Sequence, residues 1–204
     1  MTQEGALPPG PVLILANHLS WLDIAALAGS CNSAFVAHDG LAGHPALEFL
    51  CRLNDTVFIA RHQRGTVGGQ VGQIAAALAG GRPLTVFPEG TTNDGTALLP
   101  FKSSLLSVAE RSGAQVVPVA LDYAEAPTLA WLGDEPGPKN FFDVLARRDP
   151  VRLRLTILPP LSGDAAANRK TMAHAARAAI TAAMAGEHEK PGATSRCDAL
   201  SAPA

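Results

Sequence analysis

The chain predicts an α/β fold, a single domain with a central, mostly parallel (mixed) sheet flanked by helices. Two features point to it. Short apolar runs, VLILA at 12–16, TVFIA at 56–60 and LTVF at 84–87, have the length and composition of buried strands. Each is followed by a segment of helical pattern, and strand–helix alternation favours a parallel sheet. A third sets the scale: 204 residues, 47% hydrophobic and 17% charged, suit one globular domain with a sizeable core.

Residues 1–11 hold three prolines and read as an irregular, unpaired lead-in. The run at 12–16 is the first strand. WLDIAALAG reads as a short helix ending near Gly29, and AFVA at 34–37 as a second strand. Residues 44–53 look helical, 56–60 form a β-branched and aromatic strand, and 68–78 read as a helix of small residues. The strand at 84–87 stops at Pro88. A helix at 101–112 is closed by Gly113. VVPVAL at 116–121 carries a proline, which predicts an edge position or a strand start. Residues 126–150 read as loop-rich. VRLRLTI at 151–157 alternates apolar and polar residues, as a half-exposed antiparallel edge strand would. An alanine-rich helix follows at 168–184, and 186–204 read as a flexible tail. The main domain is thus expected at 12–185.

Composition excludes several classes. Sixteen basic against 18 acidic side chains give a net charge of −2, which argues against a dedicated nucleic-acid binder. Aromatics at 5% are too sparse for base-stacking platforms. Cys31, Cys51 and Cys197 form no CxxC pair, so neither a disulfide framework nor a cysteine zinc site is expected, and a reducing compartment fits. His18, His38 and His44 are not at a recognised zinc spacing, and no metal site is expected. No window is long and apolar enough for a membrane span, and the N-terminus does not read as a secretory signal. GxSxG, GxxxxGK[ST] and a GxGxxG after the first strand are all missing.

Three clusters carry potential chemistry, each just beyond a predicted strand, where ligand sites of open α/β sheets lie. The first is Asn17-His18-Leu19-Ser20-Trp21-Leu22-Asp23. Ser20 and Asp23 have capping-box spacing, with Ser20 as N-cap and Asp23 at the third helical position. From there a carboxylate points back toward His18. It can hold one imidazole nitrogen and leave the other free to take a proton from a hydroxyl. The second cluster is Phe87-Pro88-Glu89-Gly90-Thr91-Thr92, which suits either a polyol or phosphate pocket or an ordinary turn in which Gly90 supplies an unusual backbone angle. The third carries Arg61 and Arg64 beyond the 56–60 strand. Between Asp55 and Glu89 the only formal charges are Arg61, Arg64 and Arg82, which suits either phosphate recognition or a solvated basic loop.

Taken in order, NHLSWLD, VFIAR, FPEGTT and VVPVAL resemble the four motif blocks of the glycerolipid acyltransferases, the PlsC-like lysophosphatidic acid acyltransferase family. The similarity spans about residues 12–121. It implies transfer of a fatty acyl group from an acyl thioester, acyl-CoA or acyl carrier protein, to a lysolipid hydroxyl, with no cofactor. By the same resemblance His18 would be the general base and Asp23 its orienting partner. Arg61, with Arg64 nearby, would meet the acceptor's phosphate. Glu89, Gly90 and Thr91 would shape the acceptor pocket, Lys102 in PFKSS would touch phosphate, and Pro118 would belong to the block linked to donor binding. The second block reads FIAR where the family commonly reads FIDR, so Arg61 lacks an aspartate neighbour at Ala60.

The acceptor expected first is 1-acyl-sn-glycerol-3-phosphate, giving phosphatidic acid. The stretch FPEGTTNDGTALLPF looks more like the bacterial branch that includes lyso-ornithine lipid acyltransferases. Other readings are a non-catalytic lysolipid-binding module and a thioesterase activating water through His18. Partners are expected to be the two lipid substrates and a membrane surface. The expected location is peripheral, on the cytoplasmic side of the inner membrane, with Trp21, Leu41, Trp131, Phe141 and Phe142 as a candidate apolar rim. The family commonly has an apolar N-terminal attachment region. Either this chain docks peripherally, or its native start lies upstream of Met1.

Overall fold

The structure is a computed structural model, and it describes residues 1–38, 57–59, 78, 80–132 and 135–185. Among these residues seven strands form one sheet: β1 (Thr2–Glu4), β2 (Val12–Ala16), β3 (Ala34–His38), β4 (Val57–Ile59), β5 (Leu84–Val86), β6 (Gln115–Tyr123) and β7 (Leu153–Ile157). Their order is β1-β7-β6-β2-β5-β3-β4. All neighbouring pairs are parallel except β6–β7, which is antiparallel. The expected α/β class with a mostly parallel, mixed sheet is what the chain adopts.

Apolar side chains on both faces explain why β2 is a continuous apolar run. Val12, Ile14 and Ala16 pack in one cluster with Ile24 and Leu27 of α1 (Leu22–Cys31). Leu13 and Leu15 pack in the other with Met172 and Ala176 of α5 (Arg169–Ala185). A 3-10 turn at Ser103–Leu106 and α2 (Ser107–Ser112) add Leu106 and Ala109 to that second layer. The short α3 (Ala126–Leu129) and α4 (Gly137–Leu145) add Leu129 and Val144 to the first. Helices therefore cover both faces, as a largely parallel sheet requires. Among the described residues no helix is long and apolar enough to cross a membrane.

Several expectations are corrected. Residues 1–11 are not wholly unpaired, because Thr2–Glu4 pairs with Arg154–Thr156. The three prolines all follow that strand, and a tight backbone turn at Gly5 (φ 80°) ends it. β7 is antiparallel as expected but is not the edge, since β1 lies outside it. β6 is an interior strand despite Pro118. The Pro118 carbonyl accepts from Leu158 N, beyond the last β7 residue. A strand residue's N–H points to the same side as its carbonyl, so the missing donor falls where the β7 ladder has already ended. Helix α1 runs two residues past Gly29, to Cys31, and is closed by Asn32 in the left-handed region (φ 48°). The stretch 126–150 contains α3 and α4 rather than loop alone. The expected helices at 44–53 and 68–78 and the tail at 186–204 fall largely or wholly outside the described residues.

Candidate active site

β2 ends at Ala16 and the chain turns into α1 through 17–21. Asn17 anchors this turn to the neighbouring strand. Its Nδ2 donates to the Leu121 carbonyl at 2.8 Å and its Oδ1 accepts from Leu121 N at 2.8 Å, so a side chain extends the β2–β6 ladder.

His18 and Asp23 meet in this turn, Nδ1 to Oδ2 at 2.8 Å. The same Oδ2 accepts from Leu19 N at 2.7 Å and Ser20 N at 2.9 Å, while Oδ1 accepts from the Tyr123 hydroxyl at 2.8 Å. Asp23 is completely buried, and Leu19 N, Ser20 N and the Tyr123 hydroxyl all donate to its carboxylate, so the side chain serves as an acceptor. The imidazole proton therefore sits on Nδ1, and Nε2 is left with a free lone pair. The His18 side chain is 19% exposed, so the ring is reachable from solvent. It stacks on Phe87, ring centres 4.0 Å apart and 13° from parallel.

The capping box forms only in part. α1 begins at Leu22 with Trp21 as its N-cap, which places Asp23 second rather than third. The carboxylate still reaches back to Ser20 N, but Ser20 Oγ meets Leu22 N, at 3.4 Å, instead of the Asp23 amide. Holding His18 and closing the turn draw the Asp23 carboxylate to the same place.

Glu89 lies in the turn after β5 and is 2% exposed. Its Oε1 accepts from His18 N at 2.9 Å, and its Oε2 accepts from Asn93 Nδ2 at 2.6 Å and Leu99 N at 2.8 Å. Burial pushes this carboxyl above its ordinary range, and the hydrogen bonds from His18, Leu99 and Asn93 oppose that rise. Asn93 N donates back to the His18 carbonyl at 3.0 Å. Glu89 thus ties the His18 turn to the 93–99 segment, shaping the site by holding backbone rather than by presenting its carboxylate at a surface. Arg177 of α5 secures that segment from outside, donating to the carbonyls of Leu98 and Leu99.

Gly90 takes φ 74°, the unusual angle expected of the turn. A Cβ at this position would lie 2.6 Å from Lys102 Nζ, so the ammonium sits directly over the glycine backbone. Lys102 is fixed there by its own N–H, which donates to the Pro88 carbonyl at 2.8 Å. Thr91 is exposed beside them. Pro118 is buried inside β6 opposite Leu15. Arg61 and Arg64 lie outside the described residues.

The structure therefore brings His18, Asp23, Glu89, Gly90 and Lys102 into one hydrogen-bonded neighbourhood. Asn17, Asn93 and Tyr123 support it and were not singled out in the sequence. Asn17 stood inside the first cluster, but its role depends on a strand about 100 residues away. Cys31 is buried, and burial raises its thiol to about 11, the mark of an inert cysteine. Among the described residues no cluster of His, Cys, Asp or Glu could hold a metal ion.

Comparison with solved structures finds the same fold in the crystal structure of the 1-acyl-sn-glycerophosphate acyltransferase PlsC from Thermotoga maritima. The TM-score is 0.68 at 20% identity, over 94% of this chain and 73% of that one. A lyso-ornithine lipid O-acyltransferase of Rhizobium meliloti is 38% identical over 141 residues, 61% of this chain and 48% of that protein. One from Brucella abortus is 31% identical over 196 residues, 86% of this chain and 73% of that protein. A 1-acyl-sn-glycerol-3-phosphate acyltransferase of Neisseria gonorrhoeae is 38% identical over 115 residues, 56% of this chain and 45% of that protein. The chain thus spans about half the length of the Rhizobium and Neisseria relatives and nearly three quarters of the Brucella one. The acyltransferase family profile matches residues 1–122, more than half of the sequence and both strand-end turns that build the site: the chain belongs to the PlsC-like acyltransferase family.

Proposed function

We propose that the protein transfers a fatty acyl group from an acyl thioester to the hydroxyl of a lysolipid, with His18 as general base. One observation supports this above the others: Asp23, buried and surrounded by donors, holds His18 by Nδ1 and leaves Nε2 basic on a ring that solvent reaches. Nε2 takes the acceptor's hydroxyl proton as that oxygen attacks the thioester carbonyl. The tetrahedral adduct then expels the thiolate, which recovers the proton from the imidazolium and leaves as free thiol. Asp23 stabilises the imidazolium between the two steps. Such general-base assistance contributes about 10² to 10⁴-fold.

Lys102 over Gly90 offers a cation to a phosphate-bearing acceptor, which supports 1-acyl-sn-glycerol-3-phosphate. Lyso-ornithine lipid is the second reading, favoured by the Brucella relative that aligns over 86% of this chain. The donor is acyl-CoA or acyl carrier protein. Docking is peripheral, on the cytoplasmic face of the inner membrane, through the exposed Leu132, Phe142 and Leu145. Trp21 and Phe141, expected in the apolar rim, pack on each other with ring centres 4.7 Å apart and instead support this face from beneath.

Thiol release from acyl-CoA, measured with each lysolipid in turn, tests the proposal. His18→Ala should lower acceptor-dependent release by at least about 100-fold. Release unaffected by that change would refute the general-base role. Release independent of any lysolipid would identify a thioesterase, and lipid binding without release a non-catalytic module.

A further inference from the structure

Tyr123 is the last residue of β6, 4% exposed, and it is itself a member of neither the dyad nor the Gly90 turn. Its hydroxyl crosses 100 residues of sequence to donate to Asp23 Oδ1. The two carboxylate oxygens therefore have separate duties. Oδ2 serves the catalytic turn through His18 Nδ1, Leu19 N and Ser20 N, and Oδ1 serves the sheet through Tyr123.

That division has a mechanical effect. Rotation about the last bond of an aspartate side chain is soft. Three bonds to one oxygen locate that oxygen but fix the plane of the group weakly. A fourth bond to the other oxygen, from a different element, sets the plane and so the direction in which Oδ2 meets Nδ1. The donor is itself well held. β2 and β6 are in register from Val12 with Gln115 to Ala16 with Val119, and Asn17 continues the pairing to Leu121. Burial and the nearby carboxylate hold the phenol far above its ordinary range, so it remains a donor at any pH at which the protein works.

We propose that Tyr123 is a positioning residue for acyl transfer: it fixes the Asp23 carboxylate so that His18 presents Nε2 in one tautomer and one orientation. This rests on the general-base reading above. Substrate binding should not depend on it, because the hydroxyl faces Asp23 and the side chain is buried.

The test uses the full chain with acyl-CoA and the preferred lysolipid, comparing wild type, His18→Ala and Tyr123→Phe. Tyr123→Phe should lower kcat about tenfold, with KM unchanged within about twofold, as expected for loss of a bond to a charged group. If His18→Ala is inactive while Tyr123→Phe has wild-type kcat, or shows only a raised KM, the positioning role is overturned and the dyad stands. If His18→Ala is fully active, the dyad itself fails. A second measurement needs no turnover. Tyr123 is the sole tyrosine of the sequence, so growth on 3-fluorotyrosine labels that side chain alone. Its fluorine resonance should move on Asp23→Asn and stay in place on Lys102→Ala. A resonance indifferent to Asp23→Asn would overturn the proposal even if Tyr123→Phe failed to fold.

Discussion

Glu89 shows how much one buried side chain carries. Three donors converge on its two oxygens, from the His18 backbone, the Asn93 amide and the Leu99 backbone. Glutamine has nearly the same shape but only one acceptor oxygen. Whichever way its amide turns, an NH₂ group faces an N–H donor and at least one buried donor loses its partner. Glu89→Gln should therefore cost about 1–3 kcal/mol of stability and lower the proposed acyl transfer by loosening the His18 turn. Chemical denaturation and thiol-release kinetics on the same preparation check both effects. The local part of this site was legible in the sequence. His18 and Asp23 lie five residues apart on a strand-to-helix turn, and such contacts follow from local geometry. Tyr123 and the Asn17 clamp were not legible, because their partners are brought near only by the β2–β6 pairing, and no local spacing encodes that distance.

Among the elements, the strands that could be read were those with apolar side chains. β2 and β5 are buried throughout and carry unbroken apolar or β-branched runs. The alternation in β7 matches its alternating burial, with Leu153, Leu155 and Ile157 inward. β1 is exposed at every position, and Thr-Gln-Glu gives no hydrophobic signal, so it was missed. It is held by backbone pairing and by Gly5. A Cβ at Gly5 would run into the Ile157 carbonyl, at a backbone angle that alanine also resists. Gly5→Ala should detach β1, cost about 1–2 kcal/mol and abolish hydrogen-exchange protection in 2–4. Exchange measured by NMR reads this directly, and unchanged protection in that strand would contradict it.

Across the whole molecule, sequence pattern led to the α/β class and the parallel core, while the ordering of the outer strands depended on long-range pairing. The helices were clearest where alanine recurs, as in α1 and α5. They were obscure in 126–150, where prolines and glycines mask two helices that begin beside proline. α4 leaves Phe142 at 66% and Leu145 at 58% exposure, with Leu132 nearby in the chain at 44%. Large apolar side chains held this far out of the core gain about 1.5–3 kcal/mol each on full burial, which a bilayer can supply. Phe142→Ser combined with Leu145→Ser should lower vesicle binding at least about tenfold and leave the fold intact. Co-sedimentation with phospholipid vesicles, alongside circular dichroism, tests it.

The pairing of β1 with β7 also bears on how the sheet is completed at the ribosome. Thr2–Glu4 emerges well before its partners at Arg154–Thr156, which are made some 150 residues later. Chains grow at roughly 5–20 residues per second, so this outermost strand waits many seconds for its neighbour while β2, β5 and β6 can already associate. Its uniformly polar side chains leave little for a stray hydrophobic surface or a chaperone to seize during that wait.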